Sequence, residues 1–223
     1  MDGRDLGRRL AAESIGTALL LAAVVGSGIM AERLAGGNVA LALLANAIAT
    51  GGALVALILT FEPISGAHFN PLVTVALAWR DAWPRRVVAF YVVAQVAGAI
   101  IGVWIAHAMF NLPLLQVSGR ARASTGEWVG EFVATFGLVG LILSCSRHAP
   151  RAIPLAVAAY ITGAYWFTSS TSFAKPAVAL ARAFTDSFAG IAIEHVPGFI
   201  AAEIAGAAAA VALFSWMLRP TNP

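Results

Sequence analysis

Lys175 is the only lysine in a chain whose other basic residues, out of 14 in all, are arginines. It stands directly before Pro176 in the stretch SSTSFAKPAVALARAFT. Glu13 and Glu131 each lie in apolar runs, each with a threonine four residues on, Thr17 and Thr135. An ionisable group in such a setting is costly unless a partner takes it. These residue types do not make a reaction centre. No apolar run carries His and carboxylates at ligand spacing, or a nucleophile beside a base. The one cysteine, Cys145, can form neither an internal disulfide nor a thiolate metal site. What the residues can do is hold backbone in place, offer acceptors and set local charge. Neither catalysis, a metal nor a cofactor is expected.

The elements that must position them are membrane helices. The chain has 223 residues, 60% of them hydrophobic and 11% charged. Soluble domains run near 45–50% apolar and about 25% charged. The mean hydropathy of +0.82 agrees with a bilayer protein. A pI near 9.6 does not point to nucleic acid, because the basic residues are scattered singles and pairs. No cleavable signal is expected, since the first apolar run reads straight into a span. Crossing a hydrocarbon core of about 30 Å takes about 20 apolar residues of helix. Candidate spans are 10–30, 38–61, 87–108, 127–145, 152–168 and 198–218. Six spans place both termini on one side. Arg4, Arg8, Arg9, Arg80, Arg85, Arg86, Arg147, Arg151 and Arg219 then share that side, against Arg33, Arg120 and Arg122. Nine against three puts both termini in the cytoplasm.

Two segments are too short to cross. Residues 65–80 (SGAHFNPLVTVALAWR) and 169–185 each have a polar lead, then X-Pro, then about ten mostly apolar residues. Ten helical residues rise only about 15 Å. Pro71 and Pro176 suit the first helical position, and Asn70 is a good N-cap. They read as re-entrant half-helices, with flat interfacial helices as the alternative. Irregular backbone at membrane depth needs protein or a wet cavity around it.

The two halves repeat. YVVAQVAGAI at 91–100 matches FIAAEIAGAA at 199–208, making Gln95 and Glu203 mates and placing Gly98 and Gly206 where helices cross closely. Each half has three spans, so the second is inverted, with a site where the broken helices meet. Their positive N-terminal ends would face each other there, passing neutral solutes and opposing cations. Carbonyls of 65–69 and 170–174 would form a ladder of acceptors.

SGAHFNP with its half-helix and the paired Glu-xxx-Thr resemble the aquaporin (major intrinsic protein) family over nearly the whole chain. The resemblance implies an all-α membrane protein of six transmembrane helices plus two re-entrant half-helices. It would form one channel domain over 1–223, with repeats at about 8–108 and 127–218, working as a homotetramer with one pore per subunit. It also implies that Glu13 and Glu131 brace the re-entrant loops and that His68 lines one of them. The family's outer constriction falls on Thr50, Gly163, Ser172 and Val178. Bulky aromatic or His residues and an Arg stand there in water-selective members, so a wide, uncharged constriction is expected. The stretch SFAKPAVALARAFTDSFAGI is similar to the arsenic-associated bacterial branch. That likeness implies passage of arsenite or methylated arsenic species, with glycerol, urea and water as further solutes, and a bacterial inner-membrane location.

The family's two Asn-Pro-Ala motifs are here Asn70-Pro71-Leu72 and Lys175-Pro176-Ala177. A lysine has no acceptor and cannot N-cap, which costs about 1 kcal/mol. Lys175 could be neutral, could pair with Glu131 ahead of the more distant Glu62, or could extend along the lumen. Glu62 itself is placed in the inner vestibule. Arg182, one turn beyond Val178, either supplies charge to the outer vestibule with Asp186 beside it or makes a surface ion pair. His107, His148 and His195 read as solvated, and Cys145 as a buried thiol. The expected function is a passive channel for small uncharged solutes. The alternatives are a pore occluded or made anion-tolerant by Lys175, and a secondary transporter.

Overall fold

The computed structural model describes residues 3–219. Eight α-helices follow in order: α1 Gly3–Leu34, α2 Val39–Ser65, α3 Pro71–Arg80, α4 Arg85–Met109, α5 Thr125–His148, α6 Ile153–Phe167, α7 Pro176–Arg182 and α8 Val196–Met217. No strand occurs among the described residues. The boundaries have local causes. Asn38 caps α2, its Oδ1 accepting from Leu41 N at 3.1 Å. Gly66, at φ 91°, ends the same helix in the left-handed conformation that glycine tolerates. Ser124 and Glu127 form a reciprocal capping box at the start of α5.

Helices α1, α2, α4, α5 and α8 are each long and apolar enough to cross a membrane. The sixth crossing is α6, with 15 residues, preceded by a 3-10 turn at Pro150–Ala152. Helices α3 and α7 are the two half-helices. Flat interfacial placement is overturned, because Pro71, Val73, Thr74 and Ala76 of α3 and Ala177, Val178, Ala179 and Ala181 of α7 are buried. The second half-helix has seven residues, fewer than the spacing suggests, because Arg182 turns its side chain onto the carbonyl of Ala189 and the chain folds back.

The repeat is visible in the packing. Helix α1 lies along α4, and α5 lies along α8. A Cβ on Gly98 would run into the Ser14 carbonyl, and one on Gly206 into the Phe132 carbonyl. Ser14 and Phe132 each follow a bracing glutamate, so the two crossings are equivalent. Helices α2 and α6 close the barrel from the other side, and α3 meets α7 at its centre. Two expectations fail here. His107 is fully buried rather than solvated, its ring bonded to Leu114 O at 3.0 Å and to Thr185 Oγ1 at 2.9 Å. Cys145 is half-buried rather than buried.

Candidate functional site

The two re-entrant loops are held by equivalent carboxylates. Glu13 accepts the backbone N–H groups of His68 at 3.0 Å and Phe69 at 2.8 Å, the Ser65 hydroxyl at 2.6 Å and the Gln95 amide at 2.8 Å. Glu131 accepts the N–H groups of Phe173 at 2.8 Å and Ala174 at 2.7 Å. Residues three and one before each half-helix cap are left-handed: Ala67 and Phe69 at φ 48° and 45°, Ser172 and Ala174 at φ 52° and 52°. Each such residue costs on the order of 1–3 kcal/mol. The carboxylates offset this by taking the N–H groups that the turns point inward.

The half-helix caps differ. Asn70 Oδ1 accepts from Leu72 N at 2.9 Å, and its Nδ2 donates to the Ala174 carbonyl at 2.8 Å. Lys175 occupies the equivalent place on α7 with no side-chain cap. The expected pairing of Lys175 with Glu131, or with Glu62, does not form. Glu131 is committed to the loop, and the Lys175 side chain has no hydrogen-bond or ion-pair partner among the described residues. It is Glu203 that takes the Lys175 backbone N–H, at 2.9 Å. The other Glu203 oxygen, Oε2, is buried and has no hydrogen-bond partner among the described residues. Glu203 thus holds the backbone beside Glu131, whereas the Gln95 amide donates to Glu13 itself.

A cavity of about 190 Å³ opens from the side of Arg80 and Asp81 and ends at Asn70 and Lys175. One wall is apolar, with Leu54 and Ile58 of α2, Val73 of α3 and Val157 of α6. Glu62, His68 and Trp83 also line the cavity. His68 bonds Thr74 Oγ1 at 3.0 Å and stacks on Trp83 with ring centroids 5.5 Å apart. At the mouth Arg80 and Asp81 pair at 2.6 Å, which holds the Asp81 carboxyl below its usual range. The expected acceptor ladder is present but shorter. The Ser65, Ser170 and Ala174 carbonyls are taken by Tyr91, Arg122 and Asn70. The carbonyls of Ala67, His68 and Phe69, and of Thr171, Ser172 and Phe173, accept no hydrogen bond among the described residues.

At the other end Thr50 continues the α2 stripe of Leu54, Ile58 and Glu62. Its hydroxyl meets Tyr165 Oη at 3.2 Å. A Cβ on Gly163 would meet only Phe167 of its own helix, at 3.8 Å, on the Tyr160–Phe167 face. Ser172 and Val178 are buried, and the Ser172 hydroxyl has no partner. Arg182 is 2% exposed and lies over the Phe173 ring at 3.4 Å, so it makes no surface ion pair. Asp186 does not neutralise it, bonding Gly119 N at 3.3 Å instead. Arg122, 8% exposed, reaches the same ring at 5.2 Å and donates to the carbonyls of Gly190 and Ser170 at 3.0 and 3.1 Å. Burial and the neighbouring Arg120 draw its guanidinium down to about 10, so it stays charged at neutral pH. Among the described residues no cluster of His, Cys, Asp and Glu could hold a metal.

Comparison with known proteins decides the family. The family model for major intrinsic protein matches residues 3–168. The chain belongs to the major intrinsic protein family. This member is 54% identical over 219 residues to the aquaglyceroporin AqpS of Rhizobium meliloti (strain 1021), covering 98% of this chain and 94% of that one. It is 28% identical to the probable aquaporin AqpM of Archaeoglobus fulgidus, covering 96% and 98% of the two chains. Its fold matches the X-ray structure of the aquaglyceroporin from Plasmodium falciparum with a TM-score of 0.69 at 20% identity, covering 95% of each. It is therefore a multi-pass membrane channel for water or small solutes and not an enzyme.

Three features of this major intrinsic protein escape a reading by motif. Tyr165 had no signal, being two residues from the aligned position. Arg122 looks like any loop arginine. Glu203 did have one, as the charged mate of Gln95 in the repeat.

Proposed function

We propose that this chain is a passive facilitator of small uncharged solutes, glycerol- or urea-like and including arsenite- or methylarsenical-like species, with water also passing. The observation that carries this is the row of unpaired carbonyls on the two loops, those of Ala67, His68 and Phe69 belonging to residues that share a cavity with the apolar wall of Leu54, Ile58, Val73 and Val157. A polyol or urea has donors for one side and little charge to desolvate. Thr50, Ser172 and Val178 line the outer constriction, with Tyr165 contributing where Gly163 was expected, and Arg182 supplies positive charge beyond it. Glu13 and Glu131 brace the loops, and the motifs at Asn70, Pro71 and Leu72 and at Lys175, Pro176 and Ala177 form the meeting point. The name of the 54% identical relative supports the solute class, and the likeness of residues 172–191 to the arsenic-associated branch supports the arsenic extension.

The chain is read as one channel domain, with repeats at about 8–108 and 127–218. It is placed as a homotetramer in a bacterial inner membrane with both termini cytoplasmic, on the arginine distribution and the family's habit. The unpartnered Lys175 side chain favours one second reading, a pore that is partly closed or that admits anions. A coupled transporter loses support, because no carboxylate pairs with that side chain among the described residues. Uptake of labelled glycerol, urea and arsenite into proteoliposomes, with and without a proton or sodium gradient, tests the reading. Gradient-independent uptake above empty liposomes is expected. Uptake that requires a gradient would refute passive passage.

A further inference from the structure

We propose that the inner half of the pore contains a binding site for a small monovalent anion, with Lys175 as its charged ligand. The site lies in the cavity read as the cytoplasmic half of the solute path, and the proposal rests on that reading. Lys175 is 6% exposed, and its side chain forms part of the cavity's end. Its amine has no hydrogen-bond or ion-pair partner among the described residues.

No nearby carboxylate among the described residues pairs with the Lys175 amine. Glu131 holds the Phe173 and Ala174 N–H groups, and Glu203 holds the backbone N–H of Lys175 with Oε1 while its Oε2 stays unpartnered, beyond ion-pair distance of the amine. Asp81 is paired with Arg80 at 2.6 Å. Glu62 lines the same cavity but is exposed, and it makes no ion pair with Lys175. A buried cation without a counter-charge is strongly unfavourable. Here the group is not sealed in, since the cavity opens beside Arg80, Asp81 and Ser146. A mobile anion can reach it from solution.

The cavity sets the class of ligand. Its volume of about 190 Å³ leaves room for a halide, nitrate or formate with a few waters. One amine neutralises one negative charge. Glu62 stands along the approach and opposes multivalent anions more strongly than monovalent ones, while Arg80 and Asp81 neutralise each other there. The walls of Leu54, Ile58 and Val157 favour ions that surrender hydration readily. The Asn70 Nδ2 gives one of its two N–H groups to the Ala174 carbonyl and keeps the other. A bound anion would sit between the caps of the two half-helices, in line with solute movement, so occupancy would slow solute passage.

The test reads chloride directly. The chlorine NMR linewidth of dilute chloride is recorded with the purified full-length protein in a neutral detergent, beside the Lys175→Asn and Lys175→Arg variants. Excess broadening is expected in the natural protein and in Lys175→Arg, and its loss in Lys175→Asn. Nitrate and formate should remove the excess, whereas gluconate, whose many hydroxyls hold water against the apolar walls, should not. Equal broadening in natural protein and Lys175→Asn would overturn the proposal. So would displacement by gluconate as effective as by nitrate, a result that depends on no variant and marks surface arginines instead. Solute flux is measured separately on the same preparation. Glycerol flux without excess broadening would refute the anion site and leave the solute reading standing. Excess broadening lost in Lys175→Asn, in a protein without glycerol flux, would support the site and refute the solute reading.

Discussion

Asn70 donates its side-chain amide to the Ala174 carbonyl at 2.8 Å, tying the first re-entrant segment to the second. The reciprocal bond, from residue 175 to the Phe69 carbonyl, is missing, since a lysine stands there and the Phe69 carbonyl accepts nothing among the described residues. The clasp between the repeats is thus half made. Lys175→Asn would supply the missing cap and the missing donor together. It is expected to stabilise the protein by about 1 kcal/mol, the worth of one N-cap. Thermal melting of the detergent-solubilised variant should show a raised midpoint, and a lowered one would contradict this account of the clasp.

Glu203 and Gln95 are repeat mates, Gln95 donating to Glu13 and Glu203 accepting the Lys175 N–H. Glu203→Gln keeps the shape and can still accept from the Lys175 N–H, so its stability should stay within about 1 kcal/mol of the natural protein. Glu203→Leu leaves that N–H buried without a partner and should cost about 1–3 kcal/mol. Equal losses in both variants would show that the carboxylate charge itself is needed.

The outer entrance separates two assignments. Tyr165 Oη meets the Thr50 hydroxyl at 3.2 Å, while Gly163 faces only Phe167. Tyr165→Ala should therefore raise the flux of a four-carbon polyol relative to glycerol, and Gly163→Ala should leave that ratio unchanged. The reverse pattern in a liposome swelling assay would return the constriction to Gly163.

Close crossing at Gly98 and Gly206 supports the whole barrel. The obstacle to a side chain at either place is backbone, Ser14 and Phe132 respectively, which cannot swing aside. Gly98→Val and Gly206→Val should each cost about 3 kcal/mol, at the upper end for overpacking. Size-exclusion profiles and melting points report this, and native-like behaviour in both would mean that the helices can separate without loss.

Much of this was legible in the chain because membrane folding leaves few options. Apolar runs long enough to cross, two X-Pro segments too short to cross, and repeated Glu-xxx-Thr and Gly positions define the architecture almost alone. The bracing roles of Glu13 and Glu131 came with the family resemblance, and the cost of burying a carboxylate says only that each must find donors. What could not be read was geometry that depends on helix rotation and loop path. The contact of Tyr165 with Thr50 reflects how α6 is turned against α2. The burial of Arg122 and Arg182 around Phe173 depends on the fold of residues 183–192 back over α7. Lys175 left three outcomes open. Its backbone found Glu203 while its side chain extended into the cavity, because Glu131 was already occupied by two loop N–H groups.

The central claim is an open path for neutral solutes whose inner half contains Lys175. Stopped-flow light scattering on proteoliposomes tests it, with the natural protein beside Lys175→Asn, under sucrose, glycerol and urea gradients. Fast reswelling on glycerol or urea is expected in the natural protein, faster still in Lys175→Asn. No solute-driven reswelling in either protein, with both correctly folded and inserted, would contradict the account.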